Sequence, residues 1–573
     1  MSSPSPSDYE GPLFLGLDLS TQQLKAVLVA EDASVVHESS VHFDSDLPHY
    51  GTTNGAVRGP APGEVTSPVR MWLEAIDLVM TRVRAAGVDL SAIRAVSGAG
   101  QQHGSVYWSE EGEGLLTNLD PARPLGEEGH LAPRAFSLSR APIWQDSSNT
   151  AECRALERLA GDAQALADQT GSRAYERFTG PQIMRIRRVY ADAYARTSRI
   201  SLVSSWIASI FLGGVAPIEI SDASGMNTMD VLTCKWSDAL LEACGGPELR
   251  SKLGPEPVRG GTNLGPVSSW WVKRWGFSPD CIVAPFTGDN PATIVSFSQP
   301  GDALLSLGTS TTLLLSIPPS SNAPARFTNS HLLTHPTDPP HAFIAMLCYK
   351  NGALAREHVR DAHSDRSWDT YNTQVRNTPP GCDGRMGFYF PLPEIIPPGV
   401  QGDHFFSYST KDGSASEHQT TQLALEDVPR DAHARLILES QLLSIRSRID
   451  AIMPAGGPPL QRLIVTGGAS GNPAIRQAAA DILGLRAYVA RSAQGAGMGG
   501  ALLARWAWWR VEGGYTGEHD GSFEEMRMAY AEEGDVVEVA APKKDVTKKY
   551  EALVAPYRAC EAAIVANCAK LAN

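Results

Sequence analysis

Cysteine is sparse and unpatterned. Eight occur in 573 residues, at Cys153, Cys234, Cys244, Cys281, Cys348, Cys382, Cys560 and Cys568, and no two have C-x-x-C spacing. That argues against a zinc ribbon or a dithiol redox motif and leaves the thiols as small apolar fillers of a protein from a reducing compartment. Basic charge is in deficit: 49 Lys and Arg face 63 Asp and Glu, a net charge of −14. A nucleic-acid binder shows a basic face, so no nucleic-acid partner is expected. Phosphorylated small molecules stay open, since they need only a local positive site. Long apolar runs are missing too. The longest stretch, Leu202 to Pro217, is interrupted by Ser204, Ser205 and Ser209 and reads as a buried helix, so no membrane partner is expected. Residues 1–8 have neither a basic nor an apolar region of the signal-peptide kind and read as a short disordered lead-in. The cytoplasm is the expected compartment.

The composition that is present, 42% hydrophobic and 20% charged, is that of an ordinary soluble globular protein. The length is too great for one core and predicts two large domains, placed at 1–298 and 299–573. Between them falls Phe286-Thr-Gly-Asp-Asn-Pro-Ala292. The apolar Ile282-Val283-Ala284 reads as a short buried strand, Gly288 permits a sharp turn, and Pro291 suits the first turn of a helix through Ser296. Asp289, at the turn, can accept a proton from a hydroxyl, bind a metal, or merely cap the helix.

Other stretches supply what a hydroxyl-activating carboxylate needs. Leu13 to Asp18 and Leu24 to Ala30 predict a hairpin whose link carries Ser20, Thr21 and Gln22. Such a turn can wrap phosphate oxygens while Asp18 holds a hydrated magnesium, or it is a plain polar hairpin. Asp302 to Leu313 repeats the pattern, with Gly308, Thr309 and Ser310 at the turn. Ala92 to Ser97 reads as a strand ending in Gly98-Ala-Gly-Gln-Gln-His-Gly104, so Gln101, Gln102 and His103 offer hydrogen bonds suited to a polyol. Trp144 and Asp146 precede a helical stretch, where they can pack on and bind a sugar or, for Asp146, cap the helix. Arg173 and Arg177 share a face if their segment is helical, and are otherwise surface ion pairs. Leu463 to Thr466 runs as a buried strand into Gly467-Gly468, where bare backbone lets a base or ribose lie close. Gln494 to Leu503 begins a Gly-lined helix able to pack tightly, 511–546 reads as a surface excursion, and the C-terminal amphipathic helix is kinked by Pro556 or starts there.

As a set, Asp18-Leu-Ser-Thr-Gln-Gln23, Gly98-Ala-Gly-Gln-Gln-His-Gly104, Phe286-Thr-Gly-Asp-Asn-Pro-Ala292, Leu307-Gly-Thr-Ser310 and Thr466-Gly-Gly-Ala-Ser470 resemble the FGGY carbohydrate kinase family. Gly171 to Gly180, Asp222 to Asn227 and Cys348 to Gly352 agree with its ketopentose-kinase branch. The resemblance implies an α/β fold of two actin-like (ribonuclease H-type) ATPase domains around a cleft. It implies transfer of a phosphoryl group from ATP, with Mg²⁺, to D-xylulose; other ketoses or polyols (ribulose, sedoheptulose, glycerol) are the alternative. An actin-like ATPase of assembly type is the alternative from another class. By the resemblance, Asp289 is the catalytic base and His103, Arg177 and Asn290 bind the sugar; Gln102, Trp144 and Asp146 are expected beside them from the reading of their own stretches. Asp18 matches the metal-associated acid, and Asp289 is expected to share the metal. Gly467, Gly468, Ala469 and Asn472 match the nucleotide turn, and Trp368 an aromatic of the adenosine pocket. A monomer or homodimer is expected. The chain departs from the family in its Gly-rich 494–500 and its long 511–546 tract.

Overall fold

The computed structural model describes residues 9–320, 322–410, 418–490, 494–517, 520–530 and 536–571. The lead-in expected at 1–8 lies outside them. The chain groups into two compact units. The first is Met1–Ser296, Leu332–Ile344 and Gln494–Gly534; the second is Phe297–His331, Ala345–Ala493 and Asp535–Asn573. Segments 332–344 and 494–534, which follow the expected boundary, thus belong with the first unit.

The first unit is built on a six-stranded sheet. Leu13–Leu19 lies at its centre, buried at every position because helices cover both faces. It pairs antiparallel with Gln23–Val29 and parallel with Ile93–Gly100. The short strands Ile282–Val283 and Thr287–Gly288 then lie parallel to Ile93–Gly100 on its other side. Register does the positioning. Asp18 and Thr287 both pair with Ala99, and Gly288 pairs with Gly100. Three parallel strands therefore end at one level, and the turns that follow them meet at the carboxyl edge, where ligands of such sheets sit. One face is closed by the helix Gly495–Glu512. Its glycines let backbone touch backbone: a Cβ on Gly500 would lie 2.4 Å from the Gly98 Cα, and one on Gly16 would lie 2.0 Å from the Gly497 carbonyl oxygen. This contact draws 494–534 into the first unit. The opposite face packs on Val69–Ala85 and on the helix Val203–Leu212, whose residues Val203–Phe211 are all buried. Among the described residues, no helix is long and apolar enough to cross a membrane.

In the second unit Asp302–Leu307 pairs antiparallel with Thr311–Ile317 and parallel with Arg462–Thr466. Arg486–Ala490 follows in parallel, and Val536–Ala540 closes that edge antiparallel. The helices His433–Ile452, Pro473–Leu483 and Lys544–Leu571 pack together over it. Two expectations change here. The tract 511–546 is not a plain surface excursion. It contains the helix Phe523–Ala529, whose Phe523 and Met526 enter the core beside Trp506, and it supplies the edge strand Val536–Ala540. Its short apolar runs are masked in the sequence by flanking charge. The last helix starts at Lys544, so Pro556 lies inside it and not at its start, with Tyr557, Cys560 and Ile564 buried. All eight cysteines are free, six of them buried.

Candidate active site

Asp289 is the first residue of the helix Asp289–Phe297, directly after the Thr287–Gly288 strand. Its Oδ1 accepts the Asn290 backbone N–H at 3.0 Å. The surrounding protein and the nearby Asp18 carboxylate together push its pKa up to about 7. Asp18, at the end of its own strand, is also buried. Burial raises its pKa although Lys25 Nζ stands 3.7 Å away. Its Oδ1 is buried without a partner. Two carboxylates near enough to repel each other, one with an orphaned oxygen, have only Lys25 as a counter-charge. Among the described residues no cluster of three or more His, Cys, Asp or Glu forms a metal cage. Magnesium needs none: it keeps most of its waters and takes one or two carboxylates plus phosphate oxygens, and Asp18 with Asp289 suits that demand.

The loop after Ile93–Gly100 brings the amides and the imidazole to the same edge. Gln102 Oε1 accepts the Asn290 side-chain N–H at 2.8 Å, which fixes both amide groups. Gln101 Nε2 is buried without a partner, and the Gln102 amide reaches the Asp222 carboxylate. His103 adopts a left-handed φ of 71°. Its Nδ1 lies 2.9 Å from the Gly225 carbonyl. A carbonyl only accepts, so Nδ1 carries the proton and Nε2 is left as an acceptor. Burial, helped by Arg177, lowers the His103 pKa to about 3. The ring is therefore neutral at physiological pH and able to take a hydrogen bond from a hydroxyl. It stacks on Phe178 at 4.6 Å.

The segment holding Arg173 and Arg177 is not helical, and both guanidiniums lie over the Tyr175 ring, Arg173 at 6.0 Å. Arg173 pairs with Glu157 at 2.9 Å. Arg177 lies over Tyr175 and Phe178, at 4.8 and 5.6 Å, on the His103 side. Trp144 is 44% exposed and donates its indole N–H to Thr21 Oγ1 at 2.8 Å, which ties it to the first hairpin. In that hairpin Ser20 Oγ donates to the Gln23 carbonyl, and Gln22 takes the Phe43 N–H on its own carbonyl. Asp146 is buried and held from several sides. Its oxygens already accept from Val65 N, Ser148 N, Ser148 Oγ and Gln182 Nε2. Oδ1 takes three of these bonds and Oδ2 one, so the carboxylate is held firmly in the wall and Oδ2 keeps room to accept another.

The second unit contains a cavity of about 690 Å³, within the range of small-molecule sites. Gly308, Thr309, Trp368, Gly468, Ala469 and Asn472 all line it. Gly467, at φ 85°, packs so closely that a Cβ would lie 2.8 Å from the Leu307 carbonyl carbon, which seats the Gly-Gly turn against the hairpin. Thr309 and Ser310 are exposed at the hairpin tip. Asn472 caps the helix Pro473–Leu483 and donates to Asn372 at 2.8 Å. The Trp368 ring forms an edge contact with Tyr371 and lies under the Arg360 guanidinium.

Three buried groups escaped the sequence reading. Glu219 accepts from Thr287 Oγ1 and from Asp222 N, and burial raises its pKa to about 7. Asp222 accepts from Ser204 and is pushed up to about 8 by burial, Glu219 and Asp289. Glu219 braces the strand leading into Asp289 through Thr287, and Asp222 lies beside Gly288. The available signal was two acids three apart in an apolar setting, Ile218-Glu219-Ile220-Ser221-Asp222. Arg356, buried beside the second unit's cavity, bonds Gln441 and leaves Nε and Nη2 unpartnered, and nothing in its local sequence marks it.

The chain matches the N-terminal domain of the FGGY family of carbohydrate kinases over residues 135–296 and its C-terminal domain over 303–508. The chain belongs to the FGGY family of carbohydrate kinases. A protein described as D-xylulose kinase A from Aspergillus niger is 44% identical over 529 residues, 88% of this chain and 90% of that one. A probable D-xylulose kinase A from Aspergillus terreus is 44% identical over 528 residues, with the same shares covered. Among solved structures, the ligand-bound xylulose kinase from Lactobacillus acidophilus superposes with a TM-score of 0.74 at 14% identity, over 98% of this chain and 100% of that one. The xylulose kinase from Rhodospirillum rubrum gives 0.73 at 17% identity, over 96% and 99%. At such identities the likeness shows the fold alone, the two-domain actin-like α/β architecture of FGGY sugar kinases.

Proposed function

We propose that this FGGY kinase transfers the γ-phosphoryl group of ATP to the terminal hydroxyl of D-xylulose, giving D-xylulose 5-phosphate. The names of the 44%-identical relatives support the sugar. The observation that carries the chemistry is the meeting, at one strand edge, of Asp289 raised to about 7 with a neutral, acceptor-only His103. His103 Nε2, Arg177, Asn290 and Gln102 orient the polyol. Asp289 takes the hydroxyl proton as the oxygen bonds to the γ-phosphorus and the bond to the β,γ-bridging oxygen breaks, releasing ADP. A base of pKa about 7 is poised for that transfer at neutral pH.

In this reading Thr309, Ser310 and Gly308 hold phosphate, Trp368 and the Gly467–Ala469 turn with Asn472 hold the nucleoside, and Ser20, Thr21 and Gln22 form a second phosphate turn. Asp18 and Asp289 would hold Mg²⁺, which when bound neutralises phosphate charge. The free cysteines fit a reducing compartment, the cytoplasm. The test is ADP release against a sugar panel, with the product identified by phosphorus NMR. D-xylulose should turn over fastest and yield the 5-phosphate. Faster turnover of D-ribulose, L-ribulose, sedoheptulose or glycerol would overturn the substrate, and sugar-independent ATPase would overturn the kinase reading.

A further inference from the structure

None of the residues assigned to the sugar comes from segment 219–225, yet that segment holds two successive residues of the loop that supplies them. The Gly225 carbonyl accepts the His103 Nδ1–H at 2.9 Å. Three residues earlier, the Asp222 carboxyl is reached by the Gln102 amide. The fit is close. A Cβ on Gly225 would lie 2.9 Å from His103 Cε1, and one on Gly288 would lie 2.4 Å from Gln102 Cγ and 2.8 Å from Asp222 Oδ1.

Asp222 is itself held in place. Its Oδ2 accepts from Ser204 Oγ, and its backbone N–H donates to Glu219 Oε2 at 3.1 Å. The same Glu219 oxygen accepts from Thr287 Oγ1, two residues before Asp289. Asp222 Oδ1 has no other partner, and Asp222, Ser204 and Gln102 are all buried, which keeps bulk water from competing.

A side-chain amide can turn over with little change of shape, exchanging donor for acceptor. Gln102 and Asn290 are two such amides in contact, joined Nδ2 to Oε1 at 2.8 Å. Their sense needs a group at one end that cannot exchange. A carboxylate only accepts, and a carboxylic acid with its proton on the Ser204 side still accepts at Oδ1. Facing Asp222, Gln102 therefore presents Nε2 to the acid and Oε1 to Asn290, which leaves Asn290 Oδ1 to accept from a hydroxyl. Gln102 also donates its backbone N–H to the Asp289 carboxylate, so the oriented amide belongs to a residue already in contact with the base.

We propose that Asp222 is a positioning residue of the sugar site: it touches no reacting atom, and it fixes the sense of the Gln102 amide and, through it, that of the Asn290 amide. This role rests on the sugar-kinase reading given above.

The test is a double-mutant cycle in steady-state kinetics, run on the full chain with the sugar that the wild type turns over fastest. Asp222→Ala should raise the sugar KM about tenfold, the loss of one hydrogen bond in a buried site, with kcat and the ATP KM within about twofold. Ser204→Ala removes only a hydroxyl and should raise the sugar KM about threefold. In a Gln102→Ala background both effects should shrink below about twofold, because the amide they orient is gone. Asp222→Asn keeps an accepting oxygen and should stay within about threefold of the wild type. Effects that multiply undiminished in the Gln102→Ala background, an unchanged sugar KM in Asp222→Ala, or an equal rise in the ATP KM would each overturn the role. Should Asp222→Ala fail to fold, the Ser204→Ala arm of the cycle decides by the same criteria. With an active wild type, these failures overturn the role alone. A wild type without sugar-dependent turnover would overturn the kinase reading and this role with it.

Discussion

Both units use one backbone device and fill it with opposite charge. In each, a strand forms a hairpin with the next strand and lies parallel to a later one, Leu13–Leu19 with Ile93–Gly100 in the first and Asp302–Leu307 with Arg462–Thr466 in the second. In the first, the groups gathered at the strand ends are acids: Asp18, Glu219, Asp222 and Asp289, all with raised pKa values. In the second, the buried ion beside the cavity is Arg356, whose pKa burial lowers, and the turns present hydroxyls and bare glycine backbone. Sheet topology fixes where loops meet, and loop composition fixes what they can do. Acids that resist ionising suit the taking of a proton, and donors short of partners suit the holding of phosphate.

This contrast can be broken in graded steps. Asp289→Asn should lower kcat by about 100-fold or more, the loss expected for a general base. ATP binding to the same variant, measured by calorimetry, should stay within about twofold if the nucleotide belongs to the other unit. The pH profile comes next. Asp289 must be ionised to act, so kcat/KM for the sugar should rise with pH and level off above about 7, falling about tenfold per unit below it. Added Mg²⁺ should move that limb to lower pH, because a cation favours the carboxylate. His103→Ala should raise the sugar KM by about tenfold, one lost hydrogen bond in a buried site, with the ATP KM unchanged. The smallest effect is Trp368→Ala, which should raise the ATP KM by about three- to tenfold, the range of one aromatic contact, and spare the sugar KM. If either of the last two variants moves both constants equally, the division of labour between the units fails.

The sequence made much of this legible, because turn chemistry is local. Gly288, Asp289 and Pro291 lie within four residues, and strand, turn and helix follow there as their conformational preferences dictate. The two hairpins were likewise visible from alternation and turn residues. What stayed hidden depends on contacts distant in the chain. That Val65 and Gln182 hold Asp146 cannot be read from its own stretch of sequence. Arg173 could be half of a helical face or of an ion pair, and only the fold shows Glu157 beside it. Glu219 and Asp222 matter because they are buried, and burial is a property of the whole unit rather than of their neighbours in sequence. The edge strand Val536–Ala540 needs Arg486–Ala490 before its pattern has meaning.

The helix Gly495–Glu512 lies on strands that begin at residue 13, its glycines set against Gly16 and Gly98. During synthesis, the ribosome must therefore deliver some five hundred residues before the first sheet gains its cover. Until then the nascent chain shows the apolar side chains of Phe14, Val27 and Ile282 to solvent, a surface that chaperones recognise and that invites aggregation. A transcript cut short before codon 495 would yield a polypeptide with every acid of the proton-taking edge and no lid for the sheet that carries them.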